Sequence, residues 1–281
     1  MIEAGSLYPV CAHGAGRHRL HVAVWNQHST ALPLFCVHAL TRVAADFESV
    51  ANAFPARPVY APEMAGRGKS AWLLDSHLYS LMHYVDDCIQ VLDSLKLQQV
   101  DWVGTSLGGL IGMMVAATHP ARIRKLVLND VGPLLPLSAL QRIGSYLGVI
   151  QRFSDMEQAI RYCRTVYVGF GITSDAAWRK FAERSTVQNE DGSYRLHYDP
   201  RIADVFKIVD TDINLWPFYE QIRCPTLVLR GALSDVLLEN DARDMTLRGP
   251  KAKLVTFDNV AHAPALESDD QVAVVKEFLE A

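Results

Sequence analysis

The chain has 281 residues, 49% hydrophobic and 21% charged, with a formal net charge of −4 at pH 7. That length accommodates one large α/β domain or two small ones, with ample apolar material for a core. The acidic balance, with no lysine- or arginine-rich block, excludes a general nucleic-acid binder, and no uninterrupted apolar run approaches membrane-spanning length.

In chain order, Leu20 to Trp25 and Leu32 to Val37 read as strands, the second leading into His38-Ala39-Leu40-Thr41-Arg42. A helix is predicted from about Val43 to Phe54, then a short strand at Pro58 to Ala61 and the loop Gly66-Arg67-Gly68-Lys69-Ser70. Leu81, Val85, Ile89, Leu92 and Leu95 recur at helical spacing, with Asp86, Asp87 and Gln90 on the opposite face. The strand Val100 to Val103 follows, then Gly104-Thr105-Ser106-Leu107-Gly108-Gly109, a helix through Leu110 to Ala117 and a strand Lys125 to Leu128 ending at Asn129-Asp130. From about Gly132 to Tyr219 strand signals fade and helical ones dominate, with a polar turn at Gln188 to Ser193. The strand pattern resumes at Pro225 to Gly231, followed by a helix from about Glu239, a strand Lys253 to Phe257 and an amphipathic helix from about Asp269. Strands alternating with crossover helices imply a mostly parallel sheet covered on both faces, with its site beyond the carboxyl ends of the strands. His38, Ser106 and Asp130 all fall just after predicted strands.

The five cysteines (Cys11, Cys36, Cys88, Cys163 and Cys224) are scattered, and no pair has zinc-finger or C-x-x-C spacing. A reducing compartment fits that usage. Met1-Ile2-Glu3-Ala4-Gly5 lacks the basic start and sustained apolar stretch of a secretory signal, so a cytoplasmic location is expected.

The run Gly104 to Gly108 has the G-x-S-x-G form of a sharp strand-to-helix turn, which holds Ser106 out at its apex above a helix N-terminus. The plain alternative is a glycine-rich connection that packs a helix closely on a sheet. A serine hydroxyl is a poor nucleophile until a base takes its proton, and the base is usually a histidine held by a carboxylate. After such a turn the expected chain order is Ser, then Asp or Glu, then His. Asp235, in Gly231-Ala232-Leu233-Ser234-Asp235, and His262, in Asn259-Val260-Ala261-His262-Ala263-Pro264, supply that order just past two strands. Asp235 also reads as a turn former or helix cap.

These stretches, with Val37 to Thr41, Gly66 to Ser70 and Leu126 to Asp130, resemble the α/β-hydrolase superfamily in its capped esterase-like branch. The similarity spans nearly the whole chain and is weakest in the first fifteen or so residues and in the insertion. It implies an α/β-hydrolase fold with a core domain of residues 1–131 and 220–281 and a helical cap inserted at 132–219. By resemblance Ser106 is the nucleophile, His262 the base and Asp235 the orienting acid, with no metal and no organic cofactor. Asp130 competes for the acid role, because some relatives place the acid after the strand that follows the nucleophile helix. Asp258 is too close along the chain to His262 to partner it.

The oxyanion hole would combine the N–H of Leu107 with, by resemblance, that of Leu40; family members usually have His-Gly where this chain has His38-Ala39. Gly66 to Ser70 lacks the full phosphate-loop spacing and reads instead as a family loop bordering the pocket. Candidate substrate contacts are His38, Trp72, Trp178 and Trp216, with His197 and Tyr198 also polar enough to serve, although each has a plain packing or surface reading.

The function expected is hydrolysis of a carboxylic ester of a small or medium acyl substrate through an acyl-enzyme, by a monomer or homodimer. The alternatives are carbon–carbon bond hydrolysis, lactone opening, cofactor-free haloperoxidase chemistry, and a non-catalytic small-molecule binder on the same scaffold. Relatives that cleave carbon–carbon bonds usually carry an aromatic just after the catalytic histidine; here Ala263 follows.

Overall fold

Runs of apolar, largely β-branched and aromatic residues form the middle of the molecule because only a sheet covered on both faces hides such strands completely. A computed structural model describes residues 4–14 and 16–281. Residues 1–3, read above for a secretory start, lie outside them.

The strands are β1 (Gly5–Leu7), β2 (Val10–His13), β3 (Gly16–Arg19), β4 (Val22–Trp25), β5 (Leu34–Val37), β6 (Val59–Pro62), β7 (Val100–Thr105), β8 (Ile123–Asn129), β9 (Leu134–Leu135), β10 (Arg152–Phe153), β11 (Thr186–Gln188), β12 (Tyr194–Leu196), β13 (Ile213–Asn214), β14 (Thr226–Gly231) and β15 (Lys253–Phe257). The helices are α1 (Glu48–Ala53), α2 (Leu81–Ser94), α3 (Leu107–Thr118), α4 (Leu137–Tyr146), α5 (Met156–Val166), α6 (Asp175–Ser185), α7 (Trp216–Tyr219), α8 (Glu239–Met245) and α9 (Asp269–Glu280).

The central sheet runs β1-β4-β6-β5-β7-β8-β14-β15. From β6 onward its neighbours are parallel, and at one edge β4 runs antiparallel to both of its neighbours, β1 and β6. Trp102 on β7 stands opposite Phe35 of β5 and Leu126 of β8, which fixes the centre of the register. Helices α2 and α3 bury Val85, Cys88, Leu92, Ile111 and Met114 on one face. On the other face, Val50 of α1 and Val275 and Leu279 of α9 pack with Leu34 and Val103. Because β5, β7, β8 and β14 are parallel, their carboxyl ends open on one edge of the sheet, the edge where such folds carry ligands.

The strand and helix expectations for this framework agree with the structure to within a few residues. The N-terminal β1 and the β2–β3 hairpin have no counterpart in the sequence reading, because Arg17, His18 and Arg19 break any apolar alternation. Between β8 and α7 the chain is less purely helical than expected. Helices α4, α5 and α6 share it with an antiparallel ribbon, β10-β12-β11, whose β11–β12 hairpin is closed by the polar turn at Gln188 to Ser193. Strand β9 pairs with β13, so the two ends of this segment lie side by side. Its aromatics pack mainly on one another: Trp178, Tyr167 and Phe181 meet edge-on at centroid separations of 4.9 to 5.7 Å. Among the described residues no helix is long and apolar enough to cross a membrane.

Candidate active site

The turn from β7 into α3 is as sharp as its glycines suggest. Ser106 takes φ 51° and ψ −114°, a region strained for a residue with a side chain. Gly104 and Gly108 make the bend possible: a Cβ on Gly104 would run into the Gly108 carbonyl, and one on Gly108 into the carbonyl of Val37. The Ser106 N–H donates to Asn129 O at 2.9 Å, tying the turn to the end of the neighbouring strand.

His262 lies in the loop after β15, where its Nε2 is 2.9 Å from Ser106 Oγ. That loop is held from two sides. Asn129 Nδ2 donates to the carbonyl of Pro264 at 2.8 Å, and Ala261 N donates to the carbonyl of Gly169 at 2.6 Å. The other ring nitrogen, Nδ1, is 2.7 Å from Oδ2 of Asp130. Since a carboxylate only accepts, Nδ1 carries the proton and the Nε2 lone pair faces the Ser106 hydroxyl.

Asp130 is fully buried, and each of its oxygens is engaged. Oδ1 accepts the Gly231 N–H at 2.8 Å, and Oδ2 accepts the Ser234 hydroxyl at 2.5 Å in addition to His262. The expectation that Asp235 orients His262 is therefore corrected. The loop after β14 curls back, with Ser234 N donating to Gly231 O and Leu233 N to Val260 O, so that Ser234 points inward to Asp130. Asp235 points outward, its side chain 47% exposed and paired with Arg142 of α4 at 2.5 Å. Asp130 sits one strand from Ser106, directly after β8, within reach of an imidazole that arrives from β15.

Leu40 and Leu107 line the same cavity as Ser106. As the first residue of α3, Leu107 has an N–H with no intrahelical acceptor. The peptide carbonyl of Leu40 is fixed from behind by Nε of the buried Arg67 at 2.8 Å, and Arg67 also donates to the carbonyl of Ala65 at 2.7 Å. The Gly66 to Ser70 loop therefore supports the Leu40 turn from beneath; none of its residues lines the Ser106 cavity, contrary to the expectation of a pocket border.

His38 is a structural tie. Its Nε2 accepts the Met64 N–H at 2.9 Å, which leaves Nδ1–H to donate to the Ala39 carbonyl at 2.7 Å. Burial lowers its pKa to about 4, so it stays neutral, and it does not reach the Ser106 cavity. The tryptophans are also misplaced for substrate contact. Trp72 is half exposed beneath the Arg195 guanidinium, Trp178 packs on Phe181, and Trp216 packs on Tyr219 under Arg248. None of the three lines the cavity. His197 and Tyr198 are buried away from it; His197 Nδ1 accepts the Gly68 N–H at 3.2 Å.

The cavity over Ser106 measures about 400 Å³. Its walls are mostly apolar, with Leu135, Leu140, Ile143 and Phe170 contributed by the segment between β8 and α7. Polar lining groups from that segment include Tyr146, Tyr167 and Arg142, of which the sequence did not single out Arg142. Tyr167, whose phenol burial keeps protonated well past its ordinary pKa, is 2.9 Å from Thr41 Oγ1 beside the Leu40 turn. Arg142 and Tyr146 on α4 stand together at the Asp235 side. Nothing in the spacing of Arg142 distinguishes it from ordinary helix-surface residues.

The fold is that of an α/β hydrolase, and the sequence model described as alpha/beta hydrolase fold matches residues 33–269; the chain belongs to that family and is a hydrolase. Among known proteins, it is 40% identical over 278 residues to a 3-hydroxybutyrate-oligomer hydrolase from Cupriavidus necator, covering 95% of each chain. It is 28% identical to a 2-hydroxymuconate semialdehyde hydrolase from Pseudomonas putida, over 79% of this chain and 77% of that one. Among solved structures, an alpha/beta hydrolase from Novosphingobium aromaticivorans superposes with a TM-score of 0.90 at 33% identity, covering 100% of this chain and 99% of that one.

Proposed function

We propose that this protein is a serine hydrolase that cleaves carboxylic esters of short hydroxyacyl chains through an acyl-enzyme. The observation that carries this reading is the hydrogen-bonded series Asp130–His262–Ser106 at the wall of a mostly apolar cavity. Ser106 Oγ attacks the ester carbonyl while its proton passes to His262 Nε2. The Asp130 carboxylate, accepting from Nδ1–H, stabilises the imidazolium that forms. The oxyanion of the tetrahedral intermediate lies against the N–H groups of Leu107 and Leu40; removing one such donor typically costs about 3 kcal/mol of barrier. His262 then gives its proton to the leaving alcohol, a water deprotonated by the same imidazole attacks the acyl carbon, and the acid leaves.

Residues 132–219 act in this reading as a cap that supplies the substrate-facing wall. The choice of ester is supported by the 40% identical relative, named as a hydrolase of 3-hydroxybutyrate oligomers, in which each hydroxyl is joined to the next carboxyl as an ester. A cavity of about 400 Å³ suits one or two such small units. Carbon–carbon cleavage is the second reading, motivated by the 28% identical relative; Ala263 after His262, in place of an aromatic, weighs against it.

The test compares initial rates on the dimer and trimer of 3-hydroxybutyrate, on p-nitrophenyl esters of graded length, and on a vinylogous 1,5-diketone. Rapid turnover of the esters, abolished by Ser106→Ala, is expected, with a fluorophosphonate attached at Ser106. Faster turnover of the diketone than of any ester would overturn the ester reading, and labelling at another residue would move the site.

A further inference from the structure

Away from the Ser106 cavity, the β2–β3 hairpin lies on α2 and turns an unusual set of side chains toward it. Cys11 and His18 are directly opposite in the hairpin register, and His13 is two residues beyond Cys11 on the same face. The helix answers with Asp86 and Asp87. His13 Nε2 is 2.8 Å from Asp87 Oδ1, and His18 Nε2 is 3.1 Å from Asp87 Oδ2. Cys11 Sγ, a His18 ring nitrogen and an Asp87 oxygen all lie within 4.8 Å of one another. Cys11 and Asp87 are fully or almost fully buried.

The hydrogen count of this cluster does not close with neutral imidazoles. His13 presents Nδ1 to Asp86 Oδ2 at 3.0 Å as well as Nε2 to Asp87, so both its nitrogens face carboxylate oxygens. A neutral histidine has one N–H and one lone pair. One nitrogen therefore aims a lone pair at an anion unless positive charge lies between them. Asp86 takes the Nδ1–H, which directs the Nε2 lone pair inward; that is the outer carboxylate–histidine pairing that orients metal-bound imidazoles. A thiol, one imidazole nitrogen and a carboxylate lie mutually close, and a second imidazole nitrogen, His13 Nε2, faces the same carboxylate; that mixed set is suited to a borderline divalent ion, not to calcium or magnesium.

We propose that Cys11, His13, His18 and Asp87 bind a divalent transition metal of the zinc type, which clamps the β2–β3 hairpin onto α2. On binding, the Cys11 thiol gives its proton to solvent, as does any protonated imidazole, and the metal takes their place. The set reads Cys-x-His-x4-His with a helical Asp, so a search for paired cysteines passes over it. The role is structural, since none of the four residues lines the Ser106 cavity.

The test uses the full chain, stripped with a chelator and dialysed, then titrated with Zn²⁺ and separately with Co²⁺. Stoichiometric uptake of a single ion per chain is expected, with a higher Tm and no change in p-nitrophenyl butyrate hydrolysis. The Co²⁺ form should show a thiolate-to-metal charge-transfer band that Cys11→Ser removes. Affinity should fall by roughly 10–100-fold in Asp86→Asn, which alters only the outer partner, and further in His18→Ala. Substoichiometric uptake, or uptake with unchanged affinity in Cys11→Ser and His18→Ala, would leave the cluster as a proton-bridged clasp and overturn the proposal. Should those variants fail to fold, a wild-type Co²⁺ spectrum without the charge-transfer band overturns it equally.

Discussion

Replacing Asp130 with asparagine separates the two carboxylates that compete for the acid role, because the substitution keeps size and shape while removing charge and one acceptor. The amide has two ways to sit. With its oxygen toward the Gly231 N–H, its NH₂ faces His262 Nδ1 and the Ser234 hydroxyl. Nδ1 must then accept, the ring proton moves to Nε2, and His262 can no longer take the Ser106 proton. With the amide reversed, the NH₂ faces the Gly231 N–H, and a buried donor is left unsatisfied at about 1–3 kcal/mol. The first arrangement avoids that cost and inactivates the base. The expected loss in kcat is about 10³–10⁴-fold, roughly 4–5.5 kcal/mol of barrier, the size seen when other triads lose their carboxylate. Asp235→Asn removes only a half-exposed pair with Arg142, worth about 0–1 kcal/mol, so its rate should stay within about fivefold of wild type. Initial rates on p-nitrophenyl butyrate measure both, with thermal melts to show that each variant is folded. A folded Asp235→Asn that loses more activity than a folded Asp130→Asn would refute the assignment.

Ser234→Ala takes one charge-assisted hydrogen bond from Asp130 and should lower both stability, by about 1.5–3 kcal/mol, and kcat, by several-fold; urea melts beside rates would show it. Gly108→Ala places a Cβ in the Val37 carbonyl and should open the Ser106 turn, read as loss of fluorophosphonate labelling in protein that still melts cooperatively. The depressed pKa of His38 has a definite sign in stability. Between the ordinary value of 6.5 and about 4 the unfolded chain binds a proton that the native chain refuses, so stability falls as pH drops through that window. From pH 6.5 to 5 the loss is about 2 kcal/mol from this group, and His38→Asn should flatten that part of the urea-midpoint profile.

The framework was legible because its strands are fully buried in a parallel sheet and so appear as unbroken apolar runs, Leu34 to Val37 and Leu227 to Leu229 among them. Ser106 was legible because its turn geometry demands glycines at fixed offsets. The segment between β8 and α7 was harder to read, since β10, β11 and β12 are only two or three residues long. Runs that short hold no period to detect. The four proposed substrate contacts failed for a related reason. Composition favours aromatics as pocket walls, but Trp178 and Trp216 find better burial against Phe181 and Tyr219 than a solvated cavity offers.

The acid shows where chain order stops carrying information. A triad constrains distances among three groups, and a parallel sheet offers more than one strand end within reach of the same imidazole. In this chain the ends of β8 and β14 are adjacent, Leu229 standing opposite Asn129, so a carboxylate from either can approach His262. The outcome turns on a single residue of loop phase after β14. The turn from Gly231 directs Ser234 inward and Asp235 out to Arg142, and the inward serine donates to the carboxylate delivered by β8. Exchanging these two neighbours, Ser234→Asp with Asp235→Ser in an Asp130→Asn background, would offer the imidazole a carboxylate from β14 instead. If phase alone decides the acid, that triple variant should recover part of the activity lost in Asp130→Asn; rates no better than the single variant would mean that the backbone after β8, with Asp130 at φ 55°, also sets the approach.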